Sequence, residues 1–219
     1  MQGNTERQIA SLIDHTILKA DATALEIEKY CAEAIQHGFC SVVVNPIHIR
    51  RVADALQGTN VRTASVIGFP LGGNVRALKV KETEVALEQG ADEIDVVIDL
   101  GAMADGRYAD VESELKAIRR ASEGKIMKVI IEACLLTDEG KIAASSISAA
   151  IGADLVKTST GFSTGGATAE DIALIRRTVG PEIGIKASGG IRTRETALQM
   201  LDAGATRIGS SVGPLLLQL

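Results

Sequence analysis

Four times along this chain, a stretch with helical spacing of apolar residues closes on a glycine and runs straight into an apolar, strand-like segment. The four junctions read HGFCSVVVN, QGADEIDVVI, IGADLVKTS and AGATRIGSS. Their glycines, Gly38, Gly90, Gly152 and Gly204, are separated by 52, 62 and 52 residues. Each interval has room for two strand–helix units, so the glycines mark the even-numbered strands of an eightfold array. Apolar segments at 11–18, 40–45, 61–69, 93–100, 126–133, 154–159, 183–188 and 206–211 supply the strands. Helical spacing over 24–37, 77–89, 111–122, 141–151, 169–179 and 194–203 fills most of the gaps. Asp21 or Thr23, then Thr137, Thr168 and Thr193, stand where N-caps belong. Strands alternating with helices pair in parallel through right-handed crossovers. Eight such units in 219 residues predict an α/β fold, a single-domain (β/α)8 barrel over 1–219 with a short N-terminal segment, 1–10, before the first strand. An open doubly wound sheet is the competing arrangement, and no G-x-G-x-x-G or G-x-x-x-x-G-K-[ST] follows any strand to support it.

Composition narrows what such a barrel can do. A net charge of −5, with two tyrosines, three phenylalanines and no tryptophan, speaks against a nucleic-acid surface, which needs clustered cations and rings for stacking. A small anionic substrate stays open, because backbone dipoles hold a phosphate whatever the global charge. Apolar residues make up 46%, yet no uninterrupted run approaches the roughly 20 residues of a membrane helix. The N-terminus, MQGNTERQIASLIDHTILK, lacks the basic start and apolar block of a secretory signal, so no membrane association and a cytoplasmic location are expected. Cys31, Cys40 and Cys134 are an odd set without ligand spacing and are expected as reduced, mostly buried thiols. His15, His37 and His48 lack ligand spacing too, which disfavours a metal-dependent reaction.

Against that background three charges stand inside apolar runs: Asp95 in EIDVVI, Lys157 at the end of the sixth segment and Lys186 at the end of the seventh. Isolated buried ions are costly unless paired or neutralised. Lysines on neighbouring strands repel, and the easiest relief is for one amine to lose its proton. A pKa near 10.4 then falls to roughly 7–8 and a nucleophile becomes available. Taken singly, a snorkelling lysine or a capping aspartate explains each residue equally well; the three together point to a catalytic site. Asp99, four residues beyond Asp95, leaves the choice of acid open by pattern alone. Glycine-rich turns follow the seventh and eighth strands, at Ser188-Gly189-Gly190-Ile191 and Gly209-Ser210-Ser211-Val212, with Gly161 after the sixth. Barrels commonly bind phosphate there, although such glycines also serve simply to turn the chain. Asp14-His15-Thr16 ends the first strand and either faces the mouth or forms a buried hydrogen-bonded group.

The segments LIDHTIL, VNP, IGFPLGGN, GADEIDVVI, EACLLTDE, LVKTSTGF, GGAT, IKASGGIR and GATRIGSS together resemble the 2-deoxyribose-5-phosphate aldolases, a family of class I aldolases on a TIM barrel, over residues 11–213. The resemblance implies a lysine Schiff base, no metal or other cofactor, and a small phosphorylated sugar as substrate. It implies Lys157 as the Schiff-base lysine, Lys186 as the second lysine and Asp95 as the acid. Asp14 and Thr160 would stand near the sugar, and Gly161, Gly189, Gly190, Gly209, Ser210 and Ser211 around the phosphate. Two positions depart from the family. Val43 stands where many relatives have cysteine, and Ser163 where many have glycine. Neither is an imine or proton-transfer position, so a changed tolerance to reactive aldehydes is expected rather than changed chemistry. A homo-oligomer, dimer or tetramer, is expected because exposed apolar helix faces on a barrel commonly support one. Another phosphosugar class I aldolase, a phosphosugar isomerase using Asp95 as base, and a non-catalytic phosphometabolite binder are the competing readings; imine trapping separates the last two from an aldolase.

Overall fold

Each of the eight apolar segments becomes a strand, but shorter than its apolar run. In the computed structural model, which describes residues 6–218, the chain opens with α1 (Glu6–Ala10), β1 (Ile13–Ile17), α2 (Ala24–His37) and β2 (Ser41–Val44). It continues through α3 (Ile49–Leu56), β3 (Arg62–Ile67), α4 (Arg76–Glu88), β4 (Glu93–Val97), α5 (Leu100–Ala104) and α6 (Tyr108–Ala121). It closes with β5 (Ile126–Ile130), α7 (Asp138–Ala150), β6 (Leu155–Lys157), α8 (Ala169–Val179), β7 (Gly184–Ser188), α9 (Arg194–Asp202), β8 (Arg207–Ser210) and a 3₁₀ turn at Gly213–Leu217. All strands pair in parallel in chain order, and β8 pairs with β1, so the sheet is a closed TIM barrel. Residues 1–5 of the expected N-terminal segment lie outside the described residues.

Helix punctuation follows the sequence closely. Thr23, not Asp21, caps α2 and forms a capping box with Glu26, and Thr137, Thr168 and Thr193 accept the N–H groups of Gly140, Asp171 and Thr196. Gly38 ends α2 at φ 69°, a left-handed conformation that lets its N–H reach back to Ala34 and Ile35. The glycines at 38, 90, 152 and 204 do precede β2, β4, β6 and β8. The segment expected as a strand over 93–100 is cut at Val97 because Asp99 turns the chain by capping α5, its carboxylate accepting Ala102 N–H at 2.9 Å. The three cysteines are unpaired; Cys31 is buried, whereas Cys40 and Cys134 are only partly so.

Two apolar clusters form the core, and their inequality shapes the site. The larger lies between barrel and helices, where alternate strand residues such as Val42, Val44, Ile94, Val96, Val129 and Ile185 face outward. The smaller, Leu18, Val43, Ala64 and Val66 with Phe69 against it, fills one side of the interior. The opposite side is filled by charge. Asp14, Glu93, Asp95, Lys128 and Lys186 are 0% exposed and Lys157 2%.

Candidate active site

β4 and β7 are not neighbours, so side chains from them meet only across the barrel. Asp95 on β4 makes that crossing: its Oδ2 accepts from Lys157 Nζ on β6 and from Lys186 Nζ on β7, each at 2.8 Å. Both lysines therefore hang on one oxygen atom, as their paired register on adjacent strands allows. Asp95 Oδ1 accepts from Lys128 Nζ on β5, also at 2.8 Å. One layer deeper, Lys186 Nζ lies 2.6 Å from Asp14 Oδ2, and Lys128 Nζ lies 2.5 Å from Glu93 Oε2. Arg207 Nη1 bridges Asp14 Oδ1 at 2.7 Å and Glu93 Oε2 at 3.3 Å, while Ser41 donates to Asp14 Oδ1 at 2.7 Å.

Three buried carboxylates thus face four cations, and the balance decides which cation gives up its proton. Burial works against the charge on Lys128, but Asp95, Asp14 and Glu93 outweigh it and raise its pKa. Arg207 is raised in the same way by Asp14 and Glu93 against burial. Asp95, despite burial, is held well below the usual carboxylate range by Lys128, Lys157 and Lys186. Asp14 is lowered likewise by Lys186, Lys128 and Arg207. Lys157 is the exception. Burial, joined by the charges of Lys186 and Lys128, outweighs the attraction of Asp95 and lowers its pKa to about 8. At pH 7 roughly a tenth of such an amine is neutral, against about 0.04% for a free lysine.

Lys157 and Lys186 close the inner end of a cavity of about 410 Å³. Its walls are Thr16 on β1 with Leu18, Lys19 and Ala20 after it, Thr160 to Phe162 beyond β6, Ser188 to Arg192 from the end of β7, and Gly209 to Ser211. Two close approaches make glycine necessary. A Cβ on Gly166 would fall 2.1 Å from the carbonyl oxygen of Gly189, and one on Gly209 would fall 2.9 Å from Cβ of Ser188 and 3.0 Å from Cε of Lys186. The turn hydroxyls are largely committed: Ser210 Oγ donates to Ile191 O at 2.8 Å and Ser188 Oγ to Ser159 O at 2.6 Å. Behind the β8 turn, Tyr30 donates to Ser211 O at 2.8 Å from α2.

Asp95, Lys157 and Lys186 therefore converge, and Thr160, Gly161, Gly189, Gly190, Gly209, Ser210 and Ser211 all line the cavity above them. Asp14 is not among the lining residues; it lies beneath Lys186, sealed from the cavity, because its carboxylate is claimed by Arg207, Ser41 and Lys186. His15 faces away from the mouth, stacked on Tyr30 at 4.1 Å with Nε2 2.7 Å from Glu33. Asp99 is a helix cap, which leaves Asp95 as the interior acid. Val43 belongs to the apolar side of the barrel interior. Lys128, Glu93 and Arg207 are members that the strand pattern does not single out. Lys128 stands in the apolar run IMKVII and carries the same signal as Asp95, whereas Glu93 and Arg207 open their strands, where charge ordinarily meets solvent.

The sequence model of the DeoC/LacD family aldolases matches residues 8–216. A curated deoxyribose-phosphate aldolase of Geobacillus sp. (strain WCH70) is 56% identical over 209 residues, covering 95% of this chain and 94% of its own. A solved structure from Coccidioides immitis carrying the same assignment superposes with a TM-score of 0.95 at 41% identity, over 96% of this chain and 85% of that one. The tetrameric deoxyribose phosphate aldolase of Aeropyrum pernix superposes with a TM-score of 0.88 at 34% identity, over 97% and 91% of the two chains. With its closed parallel barrel and matching length, the chain belongs to the DeoC/LacD family of aldolases.

Proposed function

We propose that the protein reversibly cleaves 2-deoxy-D-ribose 5-phosphate to D-glyceraldehyde 3-phosphate and acetaldehyde through a Schiff base on Lys157. One observation carries this reading: a buried amine with its pKa lowered to about 8 stands at the inner end of a glycine-walled cavity, sharing a carboxylate oxygen with a second lysine. The names of the relatives supply the substrate.

The neutral amine of Lys157 attacks C1 of the open-chain sugar. Loss of water gives a protonated imine, an electron sink. Removal of the 3-hydroxyl proton sends the C2–C3 bonding electrons into that sink, releasing glyceraldehyde 3-phosphate and leaving an enamine. Protonation at C2 and hydrolysis then release acetaldehyde and restore the amine. Asp95, strongly ionised, is a poor base by itself; it holds both amines in place, and protons pass between Lys186, water and substrate in its field. Asp14 acts through Lys186 from below. Backbone N–H groups of Gly161, Gly189, Gly190, Gly209, Ser210 and Ser211 receive the phosphate, and Thr160 orients the sugar beside them, so remote binding energy aligns the reacting carbons. The protein acts without metal or other cofactor, in the cytoplasm, and assembles as a homo-oligomer; the tetramer formed by the Aeropyrum pernix relative supports the last point.

Release of glyceraldehyde 3-phosphate from deoxyribose 5-phosphate, followed with a coupled enzyme and set against a panel of other phosphosugars, tests the substrate. Borohydride reduction in the presence of acetaldehyde tests the nucleophile: label is expected on Lys157, and an unlabelled protein or label elsewhere removes the assignment.

A further inference from the structure

Among the described residues, Glu132 is the one non-glycine residue with a left-handed backbone, φ 49° and ψ 62°. A residue with a Cβ keeps that unfavourable conformation only where its surroundings demand it. Glu132 follows β5, is 2% exposed and is not among the residues lining the cavity. Its carboxylate instead reaches the next loop, after β6. The backbone N–H of Thr160 donates to Oε1 at 3.2 Å and to Oε2 at 3.4 Å, and the Thr160 hydroxyl donates to Oε2 at 2.5 Å. The same hydroxyl accepts the N–H of Phe162 at 3.0 Å. One buried carboxylate therefore gathers both sides of Gly161, whose Cα faces the glycine turn at Gly189. The left-handed backbone matches this geometry: it lets the chain leave β5 while the side chain turns toward β6.

We infer that Glu132 is a positioning residue, whose carboxylate holds Thr160 and thereby Gly161 in the shape that receives the substrate's phosphate, without touching substrate itself. The inference rests on the phosphosugar reading above. Glutamine cannot reproduce the arrangement, because it offers one acceptor oxygen in place of two: with the amide NH2 toward the Thr160 N–H two donors meet, and with the NH2 toward the hydroxyl, the hydroxyl proton loses its acceptor. Glycine removes the carboxylate yet suits the left-handed backbone.

The test is steady-state kinetics of the wild-type protein, Glu132→Gln and Glu132→Gly on 2-deoxyribose 5-phosphate and on unphosphorylated 2-deoxyribose. Acetaldehyde trapping and thermal unfolding run alongside. For both variants kcat/KM on the phosphorylated sugar is expected to fall roughly 10- to 100-fold, mainly through KM, as loss of hydrogen bonds to a charged acceptor predicts. On the unphosphorylated sugar, which Thr160 also orients but which has no phosphate for Gly161 to receive, the fall should be at least about threefold smaller, with trapping at Lys157 and the pH profile retained. Equal losses on both sugars, or wild-type KM in Glu132→Gly, would overturn the inference by showing a global or purely backbone role. Should Glu132→Gln fail to fold, Glu132→Gly carries the test, and unfolding of both would mark the residue as structural and overturn it as well. A wild-type protein with no preference for the phosphorylated sugar would overturn the inference too, but recognisably through the substrate reading beneath it.

Discussion

Lys157 owes its lowered pKa to being outnumbered. Lys128, Lys186 and Arg207 each lie close to at least two carboxylates, whereas Lys157 meets only Asp95, already shared. Replacing Lys186 with Leu removes a positive neighbour, so the Lys157 pKa should rise from about 8 toward its ordinary value. Each unit of rise lowers the neutral fraction about tenfold at pH 7. The pH–rate profile for imine formation should accordingly move to the alkaline side, and an unmoved midpoint would show that the charge does not tune the amine. Stability has the opposite interest. Because the folded pKa of Lys157, about 8, lies below the unfolded value of about 10.4, the folded state binds fewer protons between the two, and its disadvantage is full at pH 7, fades as pH rises from about 8 to about 10.4 and is gone above that. Lys157→Met should be inactive yet more stable at pH 7 by roughly 1–3 kcal/mol. Denaturant titrations at pH 7 and pH 10.5 check this, with a smaller gain expected at the higher pH.

Loops between the elements wall the cavity, and their close packing makes them brittle. Alanine at Gly166 would drive its methyl group into the carbonyl of Gly189, pushing the β7 turn off its position. The expected result is a raised KM for the phosphosugar with acetaldehyde trapping preserved, read by kinetics and borohydride labelling on the same preparation. Much at this scale is legible in the amino-acid order. Threonines 23, 137, 168 and 193 announce their helices, and the glycine-to-strand junctions announce alternate strands, because capping and left-handed turns are local. The α3 helix carries Ile49, Val52 and Leu56 on one face but is only eight residues long, so its periodicity is brief. Asp99 reads as a possible interior acid until α5 forms on it. Asp95, Lys157 and Lys186 are legible because charge is conspicuous in an apolar run. Arg207 is not, since only closure of β8 on β1 brings it to Asp14. Glu132 is hidden more deeply, as its backbone conformation and its partner across two loops leave no local mark.

At the scale of the whole molecule, the barrel interior is a single coupled charge system. Asp14 and Asp95 titrate below their ordinary values, so the stability they confer is present above about pH 4 and is lost as pH falls through their lowered folded pKa values. Asp95→Asn should destabilise the fold by about 3–5 kcal/mol, since three buried ammonium groups lose a shared partner. Chemical denaturation at pH 7 measures it, and a loss under about 1 kcal/mol would mean that the remaining carboxylates suffice. The small apolar cluster of Leu18, Val43, Ala64 and Val66 stands apart from this system, with Phe69 against it and Phe162 beyond at the cavity's edge. Of these apolar residues only Leu18 and Phe162 border the cavity, so on the imine reading proposed above a designer can recut its width at those two positions and leave every ion pair of the interior, and with it the acidity of the Lys157 amine, in place.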